Sequence, residues 1–214
     1  MTGPDLQFVE ELLERGLVLD PALELGAGYG GPTCRALVEI SGRRYVATDV
    51  APGPGVDVVA DFESGEGCAA AAALGPFGTV LVLNVLEHVF APAAVLDNAQ
   101  TLLAPGGTLV TVTPCAWPIH RYPLDCARLL PDWYRRFAAT RGLALDEETF
   151  RYVGFGPVGA FRSSSGEERL PPAGTGRALH RAWSRLVHGL LFTFGRQTQH
   201  EPRVAIGAVF RADG

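Results

Sequence analysis

The chain has 214 residues, a hydrophobic content of 47% and a formal net charge of -5. This length and apolar content predict one folded domain over residues 1–214 and exclude a disordered chain. The acidic balance excludes a general basic surface, so we expect no nucleic-acid partner.

Targeting and metal signals are missing from the sequence. The first residues lack the basic start and apolar run of a signal peptide, and no apolar run is long enough to cross a bilayer. The four cysteines form no Cys-x-x-Cys pair and have no metal-ligand spacing. We therefore expect a cytoplasmic protein with reduced thiols, no membrane partner and no metal site.

The first predicted elements lead into a glycine-rich turn. Apolar residues recur at helical spacing over residues 4–16, and a short strand then runs into residues 22–31, Ala-Leu-Glu-Leu-Gly-Ala-Gly-Tyr-Gly-Gly. Pro32 is predicted to open the next helix. Glycines permit positive φ and leave room for a ligand, and a helix start presents free N–H groups. The stretch therefore predicts a nucleotide-like ligand at the carboxyl end of the strand.

Acidic residues follow the next two predicted strands. Asp49 lies near the end of strand 45–50, 21 positions after Gly28, close to the spacing of an acid that accepts hydrogen bonds from ribose. Asp61 and Phe62 follow strand 56–60. As alternatives, each acid can belong to a loop turn, and Phe62 can belong to the core.

Several motifs of the chain resemble those of class I S-adenosylmethionine-dependent methyltransferases. Glu24-x-Gly26-x-Gly28-x-Gly30 resembles the cofactor loop of that family. Leu-Glu-His-Val at 86–89, after the predicted buried strand 79–84, resembles its fourth motif. Leu-Leu-Ala-Pro-Gly-Gly-Thr-Leu at 102–109 resembles the turn before its fifth strand. The resemblance covers residues 20–155 and implies S-adenosylmethionine as the cofactor.

The alternation of predicted strands and helices specifies a doubly wound parallel sheet. The resemblance completes this as an α/β fold of the Rossmann-like methyltransferase type, with a mostly parallel seven-stranded sheet. Further helices are predicted at 69–74, 93–103 and 131–141, and further strands at 108–113, 149–155 and 203–211. The cofactor-binding residues that the resemblance implies are Glu24, Gly26, Ala27, Gly28, Tyr29, Asp49, Val50, Asp61, Phe62, Asn84 and Val85.

The loop that follows the fifth strand is rich in polar side chains beside Trp117. It contains a His-x-Tyr-Pro-x-Asp-x-x-Arg pattern that resembles a branch of bacterial small-molecule and sugar methyltransferases. His120 is the predicted catalytic base because imidazole titrates near neutral pH. The predicted substrate-binding residues are Trp117, His120, Tyr122 and Arg128.

Alternatives remain open for this loop. Asp125 is predicted either to orient His120 or to hold a substrate hydroxyl. It can also pair locally with Arg128, three residues later, while His120 caps the loop. His88 is a second candidate base, and the family resemblance implies a structural or cofactor-side role as its alternative.

Residues 156–202 are predicted to be an insertion before the last strand. Residues 156–176 are rich in glycine, serine and proline and predict a mobile loop. Residues 176–194 predict an amphipathic helix that covers the acceptor site or forms a homodimer contact. Its row of arginines either holds an anionic acceptor or is a solvated face, and His200 is a further candidate for the pocket.

The predicted activity is methyl transfer to an oxygen or nitrogen of a small polar metabolite, such as a sugar, a nucleoside or a natural-product intermediate. One alternative is an NAD-dependent oxidoreductase, since Gly26, Gly28 and Gly31 match Gly-x-Gly-x-x-Gly. The chain has no lysine for the Tyr-x-x-x-Lys that such an enzyme would use. The other alternative is a non-catalytic S-adenosylmethionine-binding partner, but its cofactor loop would be degenerate, and here the loop is intact.

Overall fold

The computed structural model describes residues 1–28, 33–121, 124–155 and 203–212. Helices and strands alternate along these residues. The helices are α1 (Gly3–Glu14), α2 (Arg35–Ile40), α3 (Cys68–Ala72), α4 (Pro92–Gln100) and α5 (Pro131–Arg141). The strands are β1 (Ala22–Leu25), β2 (Tyr45–Asp49), β3 (Val58–Val59), β4 (Phe77–Leu83), β5 (Leu103–Ala116), β6 (Ala144–Leu145), β7 (Arg151–Phe155) and β8 (Arg203–Arg211).

All of these strands join one sheet in the order β3-β2-β1-β4-β5-β8, and β6 and β7 both pair with β8 at the far edge. Strands β1 to β5 are parallel, and β8 runs antiparallel to β5. This confirms the predicted doubly wound, mostly parallel sheet. The predicted count of seven strands is corrected to eight described strands at seven positions, because a turn at residues 146–150 interrupts the edge strand.

Two apolar clusters cover opposite faces of the sheet. Helices α1 and α2 pack on one face through Phe8, Leu12 and Val38. Helices α3, α4 and α5 pack on the other, where Leu96 and Phe137 are buried. Every residue of β1, β2 and β4 is buried, as expected for parallel strands that are covered on both faces.

Some element boundaries differ from the prediction. Helix α2 begins at Arg35, three residues after Pro32, which lies outside the described residues. The helix predicted to reach Leu103 ends at Gln100, because Leu103 pairs with Phe77 of the neighbouring strand. Strand β3 is reduced to two residues. Pairing across the sheet, which local sequence does not encode, accounts for the differences at Leu103 and at β3.

The predicted insertion at 156–202, with its helix 176–194, its arginine row and His200, lies outside the described residues. None of the five described helices combines the length and the apolar character that crossing a bilayer requires.

Candidate functional site

A cavity of about 770 Å³ opens at the carboxyl ends of β1, β2, β4 and β5. It lies where the strand order reverses between β1 and β4, the place at which open α/β sheets bind ligands. The sequence-predicted residues that line it are Glu24, Gly26, Ala27, Asp49, Val50, Asp61, Phe62, Asn84, Val85, Trp117 and His120. One crevice therefore joins these residues from five separate segments of the chain.

The turn after β1 requires its glycines. Gly26 has a φ of +75°, and a Cβ there would lie 2.6 Å from Cγ2 of Val85. A Cβ on Gly28 would lie 2.9 Å from Cγ of Asp49. Because both distances are below van der Waals contact, a side chain at either position would displace the wall of the cavity. Tyr29 lies outside the described residues.

Glu24 projects from β1 and is 2% exposed. Its Oε2 accepts hydrogen bonds from the hydroxyl of Tyr45 at 2.7 Å and from the backbone N–H of Cys34 at 2.9 Å. Burial raises the pKa of Glu24, and these two hydrogen bonds oppose the shift. Since both bonds end on Oε2, they fix a carboxylate that borders the cavity.

Asp49 joins the end of β2 to the glycine turn. Its Oδ2 accepts a hydrogen bond from the N–H of Gly28 at 2.9 Å, and its Oδ1 accepts one from Ala51 at 3.2 Å. Gly28 and Asp49, which are 21 positions apart in the sequence, are thus in direct contact.

Asp61 both borders the cavity and caps a turn. It accepts hydrogen bonds from the N–H of Glu63 at 2.8 Å and from the hydroxyl of Ser64 at 2.9 Å. Burial acts to raise the pKa of Asp61, but these hydrogen bonds outweigh it and lower the pKa. Phe62 is 5% exposed and belongs to the core cluster under α3 and α4. Asp61 and Phe62 thus have the turn and core roles that were raised as alternatives, and both also line the cavity.

The N-terminal segment reaches the cavity. Met1 and Thr2 line it, although the sequence did not implicate them. Asn84, at a φ of +55°, donates a hydrogen bond through Nδ2 to Oδ2 of Asp5 at 3.0 Å, which ties the end of β4 to α1. The left-handed region is one that asparagine tolerates. The short segment before β1 therefore contributes to the site wall.

The loop after β5 is held by an ion pair. Arg128 donates hydrogen bonds to both carboxylate oxygens of Asp125, and Asp125 also accepts one from the backbone N–H of His120 at 2.7 Å. The hydrogen bonds from Arg128 lower the pKa of Asp125 to about 2. This is the local pair that the sequence left open, and among the described residues neither partner lines the cavity. Tyr122 lies outside the described residues.

Glu87 is the functional candidate that sequence reasoning missed. It is 0% exposed, and neither carboxylate oxygen has a hydrogen-bond partner among the described residues. Burial raises the pKa of Glu87 to about 8. The available signal was a carboxylate within the apolar sequence Leu-Glu-His-Val directly after a buried strand. Glu87, His88 and His120 all line the cavity.

A family model described as a methyltransferase domain matches residues 6–153. The chain belongs to this methyltransferase family. It is a methyltransferase, as the resemblances of its cofactor loop and of its fourth motif implied. A search of curated proteins found no match.

Solved methyltransferase structures share the fold. A SAM-dependent methyltransferase from Archaeoglobus fulgidus is 12% identical with a TM-score of 0.54, over 97% of this chain and 94% of that one. A 1,6-didemethyltoxoflavin-N1-methyltransferase from Burkholderia thailandensis, with 1,6-didemethyltoxoflavin and S-adenosylhomocysteine bound, is 13% identical with a TM-score of 0.53, over 98% of this chain and 78% of that one. A methyltransferase from Haloferax volcanii in complex with the Trm112 activator is 18% identical with a TM-score of 0.52, over 97% and 89%. At these identities the likeness concerns the fold.

Proposed function

We propose that this methyltransferase transfers the methyl group of S-adenosylmethionine to an oxygen or nitrogen nucleophile of a small polar metabolite. The observation that carries the proposal is the meeting of Glu24, Asp49 and Asp61 with the glycine turn around one cavity. An amine, a ribose and an adenine ring need acceptors spaced along a crevice, and these acids come from three successive strand ends.

The residues present fit this cofactor. The absence of a Cβ at Gly26 and Gly28 avoids close contacts with Val85 and Asp49, which line the cavity. Glu24 would hold the amine, Asp49 the ribose hydroxyls and Asp61 the adenine amino group, with Phe62 packed beside the ring. The cofactor supplies a methyl group on a sulfonium, which passes to the nucleophile as the carbon–sulfur bond breaks and S-adenosylhomocysteine remains.

The acceptor would lie beside Trp117 and His120, which both line the cavity. The cavity volume falls within the range of about 300–1,000 Å³ typical of small-molecule sites. The nearby polar groups suit a hydroxylated or amino-bearing compound. Because the reaction is an in-line displacement, the main task of the protein is to hold the acceptor in line with the methyl group. Such positioning can lower the activation barrier by about 7–11 kcal/mol.

Calorimetric titration with S-adenosylhomocysteine and with NAD tests the proposal. We expect S-adenosylhomocysteine to bind and NAD not to bind, and labelled methyl groups to reach one member of a panel of sugars, nucleosides and related metabolites. Binding of NAD alone would favour an oxidoreductase. Binding of S-adenosylhomocysteine without turnover across the panel would favour a non-catalytic partner protein.

His120 is proposed to assist the departure of the acceptor proton. His120→Ala should therefore lower kcat at least about tenfold, since proton transfer by a positioned group typically contributes more than that. The Kd for S-adenosylhomocysteine should stay within about twofold, because its proposed binding groups, Glu24, Asp49 and Asp61, are unchanged in this variant. Ile119→Ala changes an 83% exposed neighbour in the same loop and is the matched control. Unchanged turnover in His120→Ala would remove His120 from the catalytic residues.

Three features of the proposal come from the sequence. They are a single domain, a cytoplasmic location, and a segment at 156–202 that covers the acceptor or joins a homodimer. Deletion of residues 160–196 would separate the two roles of this segment. Light scattering reports loss of a homodimer, and the turnover assay reports loss of acceptor coverage.

A further inference from the structure

Three metal-ligating side chains converge at the acceptor end of the cavity. Nε2 of His88 lies 3.5 Å from Oε1 of Glu87, and Nε2 of His120 lies 4.0 Å from the same oxygen. The ligand atoms of these three residues all lie within 4.8 Å of one another. Ligands of a tetrahedral zinc ion stand about 3.3 Å apart, given bonds of about 2.0–2.1 Å. Small side-chain rotations would therefore close the observed spacing.

Both imidazoles are oriented by a backbone carbonyl oxygen at Nδ1, the ring nitrogen that does not face Glu87. Nδ1 of His88 lies 2.6 Å from the carbonyl oxygen of Leu124, and Nδ1 of His120 lies 3.2 Å from that of Pro118. Since a carbonyl oxygen only accepts hydrogen bonds, Nδ1 carries the hydrogen in each ring. In the neutral ring the lone pair is then on Nε2, which faces Glu87. Ligating histidines in metal sites are held in this way.

The carboxylate of Glu87 has no hydrogen-bond partner among the described residues. It is also fully buried. A buried carboxylate without a partner is costly, and a bound cation would provide one. Arg128 does not supply it, because its guanidinium donates to both oxygens of Asp125. That neighbouring pair is close to neutral and does not repel a cation.

We propose that Glu87, His88 and His120 bind one divalent transition-metal cation of the zinc class, with positions left open toward the cavity for the acceptor. This proposal deepens the proposed function and rests on it for the role of the acceptor. Two imidazoles and one carboxylate suit such ions, whereas magnesium and calcium prefer oxygen ligands alone. The sequence predicted no metal site, because His120 comes from a different loop and forms no spacing motif with Glu87 and His88.

The cation gives His120 a defined part in the reaction. A hydroxyl group bound to a divalent cation loses its proton more readily, and the proton passes to solvent water. The resulting oxygen nucleophile forms the bond to the methyl carbon as the methyl–sulfur bond breaks. In this reaction His120 is a ligand of the cation, and Glu87 and His88 are the other two ligands.

Zinc binding to the chelator-treated protein tests the proposal by competition with a chromophoric indicator, and Co²⁺ absorption reports the ligands. We expect one zinc ion per chain, with affinity lowered at least about 100-fold in Glu87→Gln and His120→Ala, since loss of mere outer-shell partners already costs about 10–100-fold. Cys126→Ser is the matched control, because its Sγ lies 3.8 Å from the carbonyl oxygen of His88. It should bind zinc like wild type, and the cobalt spectrum should lack a thiolate band.

Equal zinc affinity in wild type, Glu87→Gln and His120→Ala would overturn the proposal, as would loss of binding in Cys126→Ser. Thermal unfolding checks each variant, and His120→Ala carries the comparison if Glu87→Gln does not fold. S-adenosylhomocysteine is titrated into the same samples. If S-adenosylhomocysteine binds and zinc does not, the cation proposal fails and the proposed function stands. If zinc binds and S-adenosylhomocysteine does not, the proposed function fails and the cation site stands.

Discussion

Gly26→Ala is expected to weaken S-adenosylhomocysteine binding on the order of 100-fold. The new Cβ would lie 2.6 Å from Cγ2 of Val85, so either that side chain moves into the cavity or the turn moves away from it. Valine has few alternative rotamers, which makes the first adjustment costly. A shift of about 1 Å in a positioning element can lower activity about 100-fold. Calorimetric titration measures the effect.

Gly16→Ala is the matched control for this variant. Gly16 also has a left-handed φ, of +69°, but a Cβ there would meet nothing within 4 Å. Both variants should lose about 1–2 kcal/mol of stability from backbone strain, whereas only Gly26→Ala should lose affinity. Adding Val85→Ala to Gly26→Ala should restore part of the binding. Equal affinities in the two single variants would show that the Val85 contact is not what keeps the turn open for the ligand.

Glu24→Gln is expected to weaken S-adenosylhomocysteine binding about 10- to 100-fold. An ionic hydrogen bond contributes about 1.5–3 kcal/mol, and the proposed partner of Glu24 is the ammonium group of the ligand. Glutamine keeps an oxygen that can accept from Tyr45 and Cys34, so the fold should survive. Glu39→Gln makes the same chemical change on a half-exposed side chain of α2 and should leave affinity unchanged.

The same residue predicts a pH dependence. Burial raises the pKa of Glu24, so its carboxylate becomes protonated at a higher pH than an ordinary glutamate. As the pH falls from 7 to 5, wild-type affinity for S-adenosylhomocysteine should decrease, because the protonated form no longer attracts an ammonium group. Glu24→Gln should lack this component of the pH profile. Parallel profiles in the two proteins would remove Glu24 as the group that binds the amine.

Local sequence was sufficient where an element carries its own signals. Helix α5 begins at Pro131, as predicted, because proline fits a first helical position. It ends before Gly142, whose φ of +64° suits the left-handed cap. The two-residue strand β6 has no such signal, since it exists only through its pairing with Phe210 and Arg211 of β8.

The cofactor side of the site was accessible to sequence reasoning because it depends on topology. Parallel strands end at one edge of a sheet, so the ends of successive strands must be neighbours. Once the strands were predicted, Glu24, Asp49 and Asp61 had to meet, and all three border the cavity. The contact of Asp49 with Gly28 follows from the same rule.

The arrangement of side chains on the proposed acceptor side depends on tertiary structure. The backbone oxygen of Glu87 accepts hydrogen bonds from the N–H groups of Cys126 and Ala127, and this brings the loop after β5 onto the segment after β4. This contact and that of His88 with Leu124 accompany the approach of His120 to within 4.0 Å of Glu87. Sequence thus determined the sheet and the acids along its edge, since periodicity and strand ends are local properties. The position of one loop on another depends on hydrogen bonds between distant backbone atoms, which no local pattern encodes.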